Sequence, residues 1–536
     1  MFRKLIFFSL AVLMLSSCGN NAKQILSEQG ILLKDSIQYH PVRVDAHGNI
    51  LPWYSSNPGE SYDTVISLVW NFWKNMEIDS NGLKYYMNHQ VWKPEHDMRG
   101  LGGDQLNMAL SSWTLLFAYT GDTMIIDNMR YIADYYLQHS YSSPTDKWPS
   151  LPYPYNTKIH SGKYDGDMRA GKGFLQPDKA ANFGLELVNL YKITGTERYL
   201  SAARGIALNL AAKVRPGDNN NSPLPFRVNA ETGKIGPLLD NGGSGKTVDM
   251  ASYTSNWAGL LMLWQQLMKL DPGNTEIYEK SFRIILNWMK EYPLKTNKWG
   301  PFFEDIPGWS DTQTNAVTFA MFILLNQDLF PEWRADVKGI LKWTHKELAN
   351  HEYEKYKVTV MNEQTVYRVP GNSHSSRQAS VELWYGELSG DTFYRANAIR
   401  TLNWATYTVS GDGRNRYIHD DIWLTDGYGD YLRHFIRAMA AEPELAPDNK
   451  NRLLRSSSVI SKIHYSPSLI EYESFDSQSM ETLRLMKKPI KVLFSGKEIS
   501  EQEVLKDYGW SWNSLSTGGV LIIKHKVERQ IKIEFR

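Results

Sequence analysis

A repeated turn constrains this sequence more than any other feature. Tyr119-Thr120-Gly121-Asp122, Ile193-Thr194-Gly195-Thr196, Asp271-Pro272-Gly273-Asn274 and Leu388-Ser389-Gly390-Asp391 share one pattern. In each, a glycine follows an apolar run, and a polar residue opens the next run. Glycine suits the position past a helix end, where the backbone turns left-handed, and Asp, Thr or Asn suits the start of the following helix. A fifth turn, Asp328-Leu329-Phe330-Pro331, places a proline where a helix can begin. The flanking runs, such as 106–118 before the first turn and 129–137 after it, repeat their apolar residues at the helical period.

The spacing predicts two alternating sets of helices. An inner set falls near 104–119, 178–193, 251–269, 312–327, 375–388 and 426–441. An outer set falls near 62–76, 123–139, 197–213, 275–291, 332–349 and 392–409. Short turns lead from inner to outer helices, and long segments lead back, near 77–103, 140–177, 214–250, 292–311, 350–374 and 410–425. In a closed ring all these long segments fall at one end, together with the inner-helix N-termini. Long loops in compact domains usually carry function. Helix N-termini add unpaired N–H groups and partial positive charge, which suits an anionic group in a central cleft.

This layout resembles the six-hairpin glycosidase and polysaccharide lyase architecture, an (α/α)6 toroid. The resemblance covers roughly residues 60–442 and implies a mainly α catalytic domain, placed at 60–445, that acts on carbohydrate. From about Ser457 the helical period fades. Lys491-Val492-Leu493-Phe494, Val520-Leu521-Ile522-Ile523 and Gln530-Ile531-Lys532-Ile533-Glu534-Phe535 read as strands, with turns at Gly509-Trp510 and Thr517-Gly518-Gly519. A small β-sandwich is expected over 456–536.

The N-terminus speaks to location. Arg3 and Lys4 precede an apolar run over 5–15 that is too short to span a bilayer. Leu15-Ser16-Ser17-Cys18 then resembles a bacterial lipobox. That resemblance implies a signal peptide over 1–18, lipidation of Cys18, and a tether and N-terminal extension over 19–59. The protein would be lipid-anchored to a bacterial membrane, facing the periplasm or the cell surface. Cys18 is the only cysteine, so no intrachain disulfide can form. Charge is balanced, 59 Lys plus Arg against 58 Asp plus Glu, and nothing points to nucleic acid. There is no phosphate-binding glycine motif and no metal-ligand spacing, so neither a cofactor nor a metal is expected. The 18 Trp and 30 Tyr can stack on sugar rings as well as fill a core.

Four polar clusters fall in the long segments or at inner-helix starts. Arg99 and Asp104 flank Gly102-Gly103, where backbone can approach a ligand; Asp104 could equally cap a helix. Asp178 follows an Asp165-Gly166-Asp167 piece too short for a calcium loop, and reads as a helix cap or a substrate contact. Asn372, His374 and Arg377 open an inner helix; a basic pair at a positive helix end needs an anion nearby. The densest cluster holds Tyr417, His419, Asp420, Asp421, Trp423 and Asp426. Glu304 follows Phe302-Phe303.

The leading expectation is a glycoside hydrolase in which two carboxyls flank the scissile bond. Asp420 or Asp421 with Glu304 is the favoured pair, with Asp104 and Asp426 as alternates. Arg377, Asn372, Asp178, Trp423 and Arg99 would contact a glycan containing uronic acid. A lyase is the alternative: Arg377 and Asn372 would neutralise a uronate, and His374, His419 or Tyr417 would take its C5 proton. A third reading is a non-catalytic glycan-binding lipoprotein.

Overall fold

The computed structural model describes residues 30–90, 102–239, 247–303, 308–418 and 428–536. Its outer helices are α1 (Pro58–Lys74), α3 (Met124–His139), α5 (Glu197–Ala211), α7 (Thr275–Glu291), α9 (Trp333–Glu347) and α11 (Arg395–Thr406). Its inner helices are α2 (Gly103–Thr120), α4 (Pro177–Thr194), α6 (Ala258–Leu270), α8 (Gln313–Leu325), α10 (Asn372–Ser389) and α12 (Tyr428–Ala441). Each inner helix packs on the next, and α12 packs back on α2, which closes the ring. The two sets differ as a ring requires. In α8, Ala316, Val317, Phe319, Ala320, Phe322 and Ile323 are all buried, so almost every face is covered. In α7 burial follows Tyr278, Phe282, Ile285, Leu286 and Met289, a single stripe.

The turns form as their residues dictate. Gly121, Gly195 and Gly390 end α2, α4 and α10 in the left-handed region, at φ of 74°, 67° and 77°. The Asp271 turn differs, because Pro272–Asn274 forms a short 3-10 turn instead. Two helix starts also differ from the sequence reading. Asn57 caps α1, its side chain accepting from Gly59 N at 2.9 Å, and Pro58 then takes the first helical position. Residues 251–257 do not join α6. Thr254 Oγ1 donates to Pro301 O at 2.8 Å and Ser255 N to Trp299 O at 3.2 Å, so this stretch braces a neighbouring segment.

The N-terminal extension contains a hairpin, β1 (Ile31–Ile37) and β2 (His40–Val44), that the sequence reading did not predict. It docks on the ring: Arg43 N donates to Tyr407 Oη at 2.9 Å, and Gln38 Nε2 to Tyr417 O at 2.8 Å.

The C-terminal sandwich starts at Arg452, slightly before the expected 456. Its strands are β3 (Arg452–Ser456), β4 (Ile460–Tyr465), β5 (Leu469–Ser474), β6 (Ser479–Leu485), β7 (Lys491–Phe494), β8 (Lys497–Glu498), β9 (Gly509–Ser514), β10 (Gly519–His525) and β11 (Gln530–Glu534). One sheet runs β3-β6-β10-β9 and the other β4-β5-β11-β7-β8. Gly509-Trp510 is therefore strand rather than turn, because Trp510 pairs with Ile523 and is buried between the sheets. β3 and β4 pack on α2, α4 and α12. Tyr465 Oη donates to Ala118 O at 2.6 Å, which satisfies a carbonyl at the C-terminal end of α2. No described helix is long and apolar enough to cross a membrane, and Cys18 lies outside the described residues.

Candidate functional site

The ring encloses an axial cavity of about 640 Å³. Its walls come from the axis-facing stripes of the inner helices, spaced by three or four residues. The stripe of α4 shows Asn182, Glu186 and Asn189; that of α12 shows Arg433, His434 and Arg437. These side chains give the cavity hydrogen-bonding groups, set among apolar ones such as Met108, Met262, Val317 and Met321.

At the inner-helix N-termini the cavity is lined by Asp104, Asn256, Phe302, Thr314 and Arg377. Asp104 lies in the first turn of α2 and is 5% exposed. It is not the helix cap, a position held by Gly102, and Tyr155 Oη donates to it at 3.4 Å. Burial pushes the Asp104 carboxyl up; Lys179 opposes this and the nearby Asp178 adds to it. Asp178, also inside its helix rather than capping it, sits behind the wall. It meets Lys179 Nζ at 2.9 Å and accepts from Asn256 Nδ2 at 2.9 Å. Lys179 also donates to Phe302 O at 2.7 Å and lies over the Phe302 ring. Two acidic side chains and one ammonium thus share this end of the ring.

Arg377 reaches the same end. Its guanidinium donates to Gln313 Oε1 at 2.8 Å and Thr314 Oγ1 at 3.0 Å, and contacts Asp430. The anion that the basic helix start called for is thus supplied by the chain itself. Asp430 also contacts Arg433 and accepts from Ser373 Oγ at 2.6 Å. Burial works to raise the Asp430 carboxyl, yet Arg377, Arg433 and His434 hold it well below the usual carboxylate range. Burial drives the His434 imidazole down to about 3, and Arg377 and Arg433 add to that against Asp430. Burial also pushes His374 well down, helped by Arg377. Both imidazoles are neutral at ordinary pH.

The other predicted residues are placed apart from the cavity lining or lie outside the described residues. His374 packs beside Phe303, with Nδ1 3.7 Å from Glu363 Oε1. Asn372 Nδ2 donates to Asn415 Oδ1 at 2.7 Å and Thr408 Oγ1 at 3.2 Å, so its amide ties α10 to the following loop. Tyr417 is buried on the side of the N-terminal hairpin. Arg99, Glu304, His419, Asp420, Asp421, Trp423 and Asp426 lie outside the described residues.

Sequence reasoning missed Lys179, Glu186, Asp430, Arg433, His434 and Arg437. Glu186 is 5% exposed, and burial raises its carboxyl to about 7 against Asn189, Arg433, Arg437 and Ser111. Arg437 is drawn down to about 9 by burial and by Arg433. A signal existed: Asp178, Asn182, Glu186 and Asn189 repeat at helical spacing on a helix whose other faces are apolar. That pattern reads as a solvent-facing stripe unless the ring is known to enclose it.

Solved structures share this arrangement. A cellobiose 2-epimerase from Spirochaeta thermophila aligns over 71% of this chain and 97% of its own, at 13% identity and a TM-score of 0.51. A D-mannose isomerase aligns over 73% and 98%, at 10% identity and a TM-score of 0.52. A sugar epimerase from a ruminal bacterium aligns over 70% and 98%, at 12% identity and a TM-score of 0.51. The chain is a six-hairpin toroid. At these identities the likeness is one of fold, and function rests on the site itself. No protein-family model matches the toroid or its sandwich. No curated protein matches either.

Proposed function

We propose that this toroid is a carbohydrate-active enzyme, and that it is a glycoside hydrolase with Asp104 as general acid. The supporting observation is the Asp104 carboxyl, which faces the cavity and is pushed up by burial, as an acid that must hold its proton requires. Asp178, behind the wall and salt-bridged to Lys179, helps keep the Asp104 proton in place rather than meeting substrate. Glu304, Asp420, Asp421 and Asp426, which lie outside the described residues, are proposed for the second carboxylate from their sequence clusters. Inner-helix N-termini around this end favour an acidic sugar such as a uronate. Arg99 and Trp423 are proposed as further sugar contacts. Cys18 is proposed as the lipid anchor, on its lipobox alone.

The lyase alternative is less well supported, since Arg377 already faces Asp430 and Asn372 is held by Asn415. A second reading has its own observation. Neutral, buried His434, which lines the cavity, could take a proton from carbon, which an epimerase or isomerase of the kind named above needs.

A panel of uronide and neutral oligosaccharides separates these readings. Hydrolysis releases saturated reducing ends, elimination releases a product with an ultraviolet-absorbing C4–C5 double bond, and in heavy water 2-epimerisation places deuterium at C2 and aldose-to-ketose isomerisation at C1. Asp104→Asn should lower hydrolysis by about a hundredfold or more. Full activity in both Asp104→Asn and Asp178→Asn overturns the hydrolase site. Tight binding without turnover of any substrate overturns the enzyme reading in favour of a glycan-binding role.

A further inference from the structure

The middle of the axial cavity is chemically unlike its N-terminal end. Glu186 stands eight residues beyond Asp178 along α4, which places it about 12 Å deeper. Here Arg433 and Arg437 project from α12, Ser111 from α2, Glu186 and Asn189 from α4, and Gln266 from α6. Arg433 is partly used: it donates to Ser111 Oγ at 2.8 Å and contacts Asp430. Its Nε has no hydrogen-bond partner. The Arg437 guanidinium has no hydrogen-bond or ion-pair partner among the described residues, although it lines the cavity. Arg433 and Arg437 face one carboxyl here, Glu186, since Asp430 is shared with Arg377, so this stretch of wall carries excess positive charge. Enclosed charge without a partner is costly, and an anion relieves that cost.

The cavity also opens at the inner-helix C-termini. Asp104, Asn256, Phe302, Thr314 and Arg377 are all buried at the N-terminal end. At the other end Leu325 is 53% exposed and Lys269 is exposed too, and both line the cavity. Lys269 also lines a crevice beside the sandwich that carries Lys524, Lys526 and Arg529, along with Asp476 and Asp507.

We propose that the mid-barrel is a second binding site, for the carboxylate of a small sugar acid, reached from the inner-helix C-termini and held by Arg433 and Arg437. A cavity of this size accommodates a sugar ring. Asn182, Asn189, Gln265 and Gln266 supply amide partners for its hydroxyls. Glu186 gates the site through charge. The groups facing it are Ser111, Asn189, Arg433 and Arg437, with Gln266 and Lys269 on the adjoining wall of α6. Once ionised, Glu186 competes with an incoming carboxylate for the two guanidiniums, so the site binds best when Glu186 is protonated.

Titration calorimetry on the whole protein tests this, with D-glucuronate, a glucuronate-terminated disaccharide and D-glucose as probes. D-glucuronate should bind more weakly at pH 8 than at pH 6, while D-glucose shows no comparable binding. Arg437→Gln should weaken D-glucuronate at least tenfold, and Glu186→Gln should abolish the pH dependence. Arg437→Lys, which keeps the charge, serves if Arg437→Gln fails to fold, and should retain part of the affinity. Arg437 and Glu186 take no part in the proposed catalysis, so this test stands or falls apart from the catalytic reading. A disaccharide that binds while free D-glucuronate does not would assign the carboxylate to a chain end rather than to a free acid. No binding of either acid, equal binding of glucose, or affinity unchanged in both Arg437 variants would overturn the proposal.

Discussion

Replacing Glu186 by Gln should stabilise the protein, and only at neutral and alkaline pH. In the unfolded chain this carboxyl ionises near 4.5; in the folded ring burial moves it to about 7. Between those values the folded state keeps a proton that the unfolded state has lost, so stability falls as pH rises. Below the window both states are protonated and Glu186 contributes no difference. Above it both are ionised, and the folded protein carries the full cost of a charge that Arg433 and Arg437 only partly offset. The gap between the two values corresponds to about 3 kcal/mol. Glutamine has the shape and hydrogen-bonding capacity of the protonated acid and never ionises. Unfolding free energies from urea denaturation of parent and Glu186→Gln should therefore coincide near pH 4 and diverge to about 3 kcal/mol in favour of the variant near pH 8. Other titrating groups are common to both proteins and cancel. A stability difference independent of pH, or a variant weaker than the parent at pH 8, would show that Glu186 is an ordinary ionised partner of the arginines and refute the argument.

Three further outcomes test the assembly. Asp63 on α1 meets Lys450, Arg452 and the Tyr119 hydroxyl, so Asp63→Ala leaves a largely buried Arg452 unpaired and should cost about 3 kcal/mol, with faster proteolysis between α12 and β3. Gly121→Ala should cost more than Gly195→Ala. Both sit at positive φ, worth about 1–2 kcal/mol, but only at Gly121 would the added Cβ meet the Tyr465 ring, at 3.2 Å; equal melting temperatures for the two variants would count against the docking. Cys18→Ser should move the protein from the membrane to the soluble fraction of cells, and an unchanged distribution would remove the lipid-anchor proposal.

The ring itself was legible in the sequence. Glycines after apolar runs fix helix ends through backbone sterics alone, and the helical period fixes which face turns inward. These are local properties, and six repeats of them leave few arrangements other than a closed set of hairpins. The same locality explains the gaps. The sequence reading joins residues 251–257 to α6, yet they stay outside the helix because Thr254 and Ser255 bond to backbone more than forty residues away. The β1–β2 hairpin is short and leaves Ile31, Leu32 and Tyr39 exposed, and it is held by Tyr407 and Tyr417 from the far end of the chain.

The site divides along the same line. Asp104 and Arg377 could be picked out because they open inner helices, and a helix start is a local feature. Glu186, Arg433, His434 and Arg437 could not, because a polar stripe on a helix looks the same whether it faces water or the axis of a ring. Closure of α12 onto α2 decides between the two, since it alone removes water from that stripe. Desolvation then moves Glu186 to about 7 and His434 to about 3, and sets Arg377 against Asp430 rather than against solvent. Sequence determined which residues could lie on the axis; only the closed ring gave them an environment in which their charges matter.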